Sequence, residues 1–154
     1  MKRDSFSIYK IWNPIAIRLL RSPLHGAMSR NTLLITYRGR KSGRSYTVPV
    51  NYARDGSDLL ILTAHEKTWW RSLIGGAPVT LHVRGVEHKA QAEAYPPDDE
   101  RMLPAFQQMA ALIKPLRRAF NLTLDDDGSV PADEATRAAA DGKVMIRVTD
   151  VPQS

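Results

Sequence analysis

Residues 32–94 divide into five short apolar runs bounded by glycine, proline or polar turns, and this spacing restricts the fold more than any other feature. Residues 32–38 read as a buried strand. Residues 46–53 alternate, with Val48, Val50 and Tyr52 on one face. Asp55-Gly56-Ser57-Asp58 is a hairpin turn into residues 59–64, which are apolar on both faces as a central strand would be. Residues 79–84 and 86–94 form another hairpin around Arg84-Gly85, and residues 143–149 alternate as a last strand. Six strands joined mostly by antiparallel hairpins leave two sticky edges unless the sheet closes. The expected fold class is therefore α+β: an antiparallel barrel of about six strands.

Helical spacing appears at three other places. Ile8, Ile11, Trp12, Ile15, Leu19 and Leu20 predict an N-terminal helix over residues 7–21, with Pro14 inside it and Pro23 ending it. A short helix over residues 67–74 carries Trp69 and Trp70, one expected in the core and one free to stack on a ligand. Pro96-Pro97 stops the fifth strand, and Asp98-Asp99-Glu100 opens a helix predicted to run to about Asn121, between the last two strands. Residues 125–142 read as an acidic loop with a short helix near 132–140. No repeat or linker divides the chain, so all 154 residues are expected to form one domain.

The 154 residues include no cysteine, which removes disulfides, thiolate–metal sites and a cysteine nucleophile, and fits a cytoplasmic protein. No apolar run reaches the roughly 18 residues of a membrane span. Asn13, Pro14 and Arg18 interrupt any signal-peptide core. The four histidines, His25, His65, His82 and His88, lack acidic neighbours in a ligand pattern, so no metal is expected.

Charge is concentrated at one place. Arg38, Arg40, Lys41 and Arg44 supply four of the net six positive charges within seven residues that contain no acid. Gly39 and Gly43 let the backbone turn tightly between two strands, and exposed amides in such a turn make a concavity for an anion. Arginine forks suit phosphate oxygens, Lys41 adds a point charge, and Ser42 can donate a hydroxyl hydrogen bond. The order of residues fits neither a P-loop nor a dinucleotide fingerprint, because Lys41-Ser42 precede the second glycine and a strand follows. A solvated hairpin tip is the competing reading of the same residues.

Leu34-Ile35-Thr36-Tyr37-Arg38-Gly39-Arg40-Lys41-Ser42-Gly43-Arg44, then Thr47-Val48-Pro49-Val50-Asn51-Tyr52, resembles the deazaflavin-dependent nitroreductase family, also called the coenzyme F-420-dependent quinone reductases. Arg21-Ser22-Pro23, Trp69-Trp70-Arg71-Ser72-Leu73 and Ala77-Pro78-Val79 are similar to it as well, so the resemblance spans roughly residues 12–95. It implies a split β-barrel that binds a flavin-type cofactor. The implied cofactor is coenzyme F-420, a reduced deazaflavin, with FMN the second choice; haem and other tetrapyrroles occur on the wider fold.

The resemblance also implies residue roles. Arg40, Lys41 and Arg44 would grip the cofactor's phosphate tail while Ser42 and Gly43 shape the turn. Thr47 and Pro49 belong to the same motif. Leu62 to Lys67 would pass beside the ring, placing Thr63, Ala64 and His65 there with Trp70. The N-terminal helix would close the substrate pocket with Tyr9 and Trp12. Apart from the resemblance, solvent, Tyr52 and His65 are the three candidate sources of the proton, and the sequence does not choose among them. Three positions depart from the family: Tyr46 replaces a second anchoring arginine, Ser72 replaces a common asparagine, and the stretch from Ala64 to Trp69 is short.

The implied reaction is hydride transfer to an electron-poor quinone, nitro compound or enone, with the cofactor carrying the chemistry. The alternative is a non-catalytic flavin- or tetrapyrrole-binding protein on the same barrel. Nucleic acid is not an expected partner, since no RNP-type or helix–turn–helix pattern is present. Peripheral membrane contact through Lys114, Arg117 and Arg118, and a homodimer, remain open at this level.

Overall fold

The structure, a computed structural model, describes residues 32–83 and 85–149. The strands are β1 (Thr32–Arg38), β2 (Ser45–Asp55), β3 (Asp58–Ala64), β4 (Ala77–Val83), β5 (Val86–Tyr95) and β6 (Lys143–Thr149). They close into an antiparallel barrel in the order β1-β2-β3-β6-β5-β4. Each expected strand is present, with bounds shifted by at most two residues. The helix expected over residues 7–21 lies outside the described residues.

Alternation explains the barrel interior. Leu33 and Ile35 of β1, Tyr52 of β2, Leu59 and Ile61 of β3, Val79, Leu81 and Val83 of β4, and Val144, Ile146 and Val148 of β6 pack together inside. β5 contributes only Ala90, Ala92 and Ala94 to this interior. Such small side chains leave room for the bulky Trp70 and Leu73, which enter from a 3-10 helix (Trp69–Leu73). That element replaces the longer helix expected over residues 67–74.

β3 is apolar on both faces because both faces are covered. Leu60 joins Met145 and Ala53 under a second core built from α1 (Met102–Leu112), α2 (Lys114–Ala119) and α3 (Ala132–Ala138). Phe106 is fully buried there and meets the edge of Phe120, with ring centroids 6.0 Å apart.

The single helix expected over residues 98–121 is divided. Asp98 to Glu100 form a turn, in which the Asp99 carboxylate accepts from the Arg101 backbone N–H at 2.8 Å. The break comes at Ile113, whose backbone is extended (φ −122°, ψ 104°). Pro115 has no N–H to bond the Ala111 carbonyl four residues back. The Arg117 side chain supplies the missing donor, bonding the carbonyls of Ala110 and Ala111 at 2.9 Å each. Among the described residues no helix is long and apolar enough to cross a membrane.

Candidate functional site

The basic loop is the tip of the β1–β2 hairpin, and its backbone is closed on itself. The Gly39 N–H donates to the Arg44 carbonyl at 2.8 Å, and the Gly43 N–H donates to the Gly39 carbonyl at 2.9 Å. Gly43 has φ +69°, a left-handed geometry that glycine adopts without penalty. Gly39 meets a different demand: a Cβ there would stand 2.8 Å from Cε2 of Tyr46. The Tyr46 ring therefore lies directly on the loop backbone. Its hydroxyl is 3.0 Å from the Ser42 Oγ, which also accepts from the Arg44 N–H at 3.2 Å. Ser42 and Gly43 thus both take part in closing the turn.

The cations divide into two groups. Arg40 donates to the Ile74 carbonyl, which ties the loop to the segment after the 3-10 helix. Lys41 and Arg44 are exposed at the tip. Among the described residues no carboxylate pairs with Arg38, Arg40, Lys41 or Arg44. The acids engaged in ion pairs serve other partners: Asp55 and Asp58 meet Arg147, Glu93 and Asp99 meet Arg101, Asp141 meets Lys143, and Glu87 meets His82. Among the described residues the positive charge at the tip is thus uncompensated, an arrangement that favours an anionic ligand.

Beside this loop the barrel wall opens. β1 and β2 pair throughout, from Thr32↔Asn51 to Arg38↔Ser45. β3 and β6 pair from Leu59↔Val148 to Ala64↔Lys143. β2 and β3, however, pair only from Tyr52↔Ile61 to Asp55↔Asp58. The stretch 45–51 of β2 and the stretch 62–64 of β3 are the lips of a split, at the end of the barrel that carries the basic loop. Pro49 lies in this stretch, and proline is tolerated in a strand where one edge is unpaired.

Aromatic rings line the split. Trp69 donates its indole N–H to Thr63 Oγ1 at 3.2 Å, and its ring centroid is 5.6 Å from that of Tyr37. Tyr37 in turn is 5.7 Å from Tyr46, so the rings run from the β3 lip to the basic loop. Burial first, and the nearby Tyr46 second, push the Tyr37 phenol up to about 12.

The remaining expected site residues are placed as follows. Thr63, Ala64 and His65 follow one another at the β3 lip, and His65 is exposed. Tyr52 is only 5% exposed and sits at the base of the split, where β2 rejoins β3. Thr47 and Pro49 alternate with the inward Val48 and Val50, so they face out of the barrel. Thr47 is nearly buried, with its Oγ1 2.6 Å from that of Thr36. Tyr9 and Trp12 lie outside the described residues.

The two tryptophans sort in a way that adjacency alone left open. Trp70, expected against the cofactor ring, is 3% exposed and gives its indole N–H to the His65 carbonyl at 3.2 Å. Trp69 is the half-buried one at the mouth. The Trp70 side chain enters the barrel because the 3-10 turn directs it and Leu73 to the same face. Sequence reasoning also passed over Tyr37. The available signal was its place two residues before Gly39, in phase with the inward Leu33 and Ile35.

A family model described as F420H(2)-dependent quinone reductase matches residues 21–115. No curated protein matches the chain. Among solved structures, one described as an F420-H2 dependent reductase (FDR-A) is 15% identical, with 77% of this chain and 94% of that chain covered and a TM-score of 0.46. A pyridoxamine 5'-phosphate oxidase-related, FMN-binding protein from Nostoc punctiforme is 12% identical, with coverages of 83% and 80% and a TM-score of 0.48. The heme storage protein HutZ from Vibrio cholerae is 12% identical, with coverages of 86% and 91% and a TM-score of 0.44.

Proposed function

This chain belongs to the F420H(2)-dependent quinone reductase family, and from that premise we propose that it reduces an electron-poor acceptor, a quinone first of all, with coenzyme F-420. Nitro compounds and enones are acceptors of the same electronic character. The observation that carries the reading is a cationic hairpin tip, paired with no carboxylate among the described residues, beside an aromatic-lined split in the barrel wall. This donor set fits a cofactor with a phosphate tail and a flat ring.

Lys41 and Arg44 would hold the tail, with Ser42 and Gly43 keeping the turn in shape. Arg40 would hold the loop against the Ile74 segment and so act on the tail through loop position. Thr63, Ala64 and His65 would border the ring. When bound, the reduced deazaflavin supplies a hydride. The protein's share is orientation and exclusion of water, which alone can remove much of a barrier. His65, exposed at the lip, is the described candidate best placed to relay a proton from solvent, since Tyr52 is enclosed at the base. FMN presents the same phosphate chemistry and is the second cofactor to test.

The experiment is a fluorescence titration of the purified protein with coenzyme F-420 and, separately, FMN, followed by turnover with a quinone. Replacing Lys41 and Arg44 together by alanine should weaken tail binding by about 1.5–3 kcal/mol for each charged hydrogen bond lost. The wild-type affinity should also fall as salt rises. A folded double variant with wild-type affinity for both cofactors would refute the site. Tight cofactor binding without turnover of any acceptor would refute the reductase reading and leave a binding protein.

A further inference from the structure

Several polar tips around the split are engaged. Tyr46 Oη meets Ser42 Oγ, Trp69 Nε1 meets Thr63 Oγ1, and Trp70 Nε1 meets the His65 carbonyl. The Tyr37 hydroxyl has no hydrogen-bond partner among the described residues. Tyr37 is half-buried, at the end of the barrel that carries the split. Its ring is fixed. Tyr46 and Trp69 flank it at 5.7 and 5.6 Å, tilted by 33° and 42°, and Trp69 is itself held by Thr63. A rigid ring with one unused donor at the edge of a ligand cleft is built to receive an acceptor atom.

We propose that Tyr37 is an acceptor-binding residue, whose hydroxyl donates to a carbonyl oxygen of a planar quinone seated against Trp69. The proposal rests on the hydride-transfer reading above and names a subsite for it. Addition of one hydride reduces the quinone by two electrons, while the cofactor is oxidised by the same two. The negative charge arrives on the quinone oxygens. Tyr37 stabilises one of them by hydrogen bonding, and the proton that completes the hydroquinone comes from solvent, so Tyr37 ends the step protonated. A phenol held neutral by burial keeps its donor proton throughout the physiological range. A donor aimed at developing charge in a sheltered site strengthens as the charge grows.

The test uses menadione, a naphthoquinone, and the variant Tyr37→Phe, which keeps the ring and removes only the hydroxyl. Menadione binding to the cofactor-free protein is followed by quenching of tryptophan fluorescence, and turnover with reduced F-420 gives kcat and KM. The Tyr37→Phe protein should bind menadione about fivefold more weakly, as expected for one lost hydrogen bond. Its kcat should fall by roughly tenfold or more, as for a lost oxyanion donor. Its affinity for F-420 should stay at the wild-type value. A second arm needs no variant: wild-type protein should bind menadione about fivefold more tightly than 2-methylnaphthalene, which has the same rings but no carbonyl. Equal affinity for those two ligands, or unchanged menadione binding and kinetics in Tyr37→Phe, overturns the subsite. Wild-type turnover with an indifferent Tyr37→Phe refutes only the subsite. Tyr37-dependent menadione binding without any turnover refutes only the reductase reading.

Discussion

Gly39→Ala should destabilise the protein through one identifiable collision. The added Cβ would stand 2.8 Å from Tyr46 Cε2 and 3.1 Å from Ser42 Oγ, well inside ordinary contact. Gly39 does not have a positive φ, so the cost is steric and not conformational. The ring cannot easily give way. Its hydroxyl is tied to Ser42, Tyr37 packs beside it, and its strand pairs with β1 residue for residue. Overpacking of this kind costs about 1–3 kcal/mol. Gly43→Ala is the natural comparison, because a Cβ there meets nothing within 4 Å and only the left-handed backbone resists it. That cost is about 1–2 kcal/mol, close enough that a single variant does not separate the causes. A double-mutant cycle does. Truncating the ring with Tyr46→Ala should relieve Gly39→Ala by about 1 kcal/mol or more and leave the cost of Gly43→Ala unchanged. Urea unfolding of the wild type, the three single variants and the two double variants measures both terms. If Gly39→Ala and Tyr46→Ala are additive within about 0.5 kcal/mol, the ring is not what requires glycine at position 39.

Two further outcomes follow from the packing and the burial. Phe106→Ala removes a fully buried ring and its edge contact with Phe120, and should cost about 3–5 kcal/mol in denaturant unfolding, while F-420 affinity in the still-folded fraction is unchanged. Tyr37, pushed up to about 12 by burial and by Tyr46, keeps its proton in the folded state above pH 10, where an unfolded tyrosine has lost it. Stability linked to this neutral phenol is complete below pH 10 and is lost as pH rises through about 12. A spectrophotometric tyrosinate titration of wild type minus Tyr37→Phe should show one late-ionising phenol, and a difference titrating near pH 10 would contradict the burial.

Several features were decided by the sequence alone. Period-two alternation placed all six described strands, because whether a side chain points in or out depends only on its parity along its own strand. The double-sided apolar run of β3 announced a strand covered on both faces, which the two cores bear out. The charge cluster and its two glycines were equally legible, since turn geometry and local charge are properties of adjacent residues.

Tertiary structure decided what depends on register and closure. The split exists because β2 and β3 pair over four residue pairs and then diverge, a fact about two strands that neither strand's pattern contains. Arg40 could not be told apart from Lys41 and Arg44 in the sequence, and only the approach of Ile74 diverts it to a backbone carbonyl 34 positions away. Trp69 and Trp70 are neighbours in the chain, but the direction of a 3-10 turn against the barrel sends one inside and leaves the other at the mouth. Tyr37 owes its raised phenol to burial among rings brought from β2 and from the 3-10 helix. Local sequence sets the conformation and facing of each element, whereas desolvation and donor–acceptor pairing arise from residues that only the closed barrel brings together.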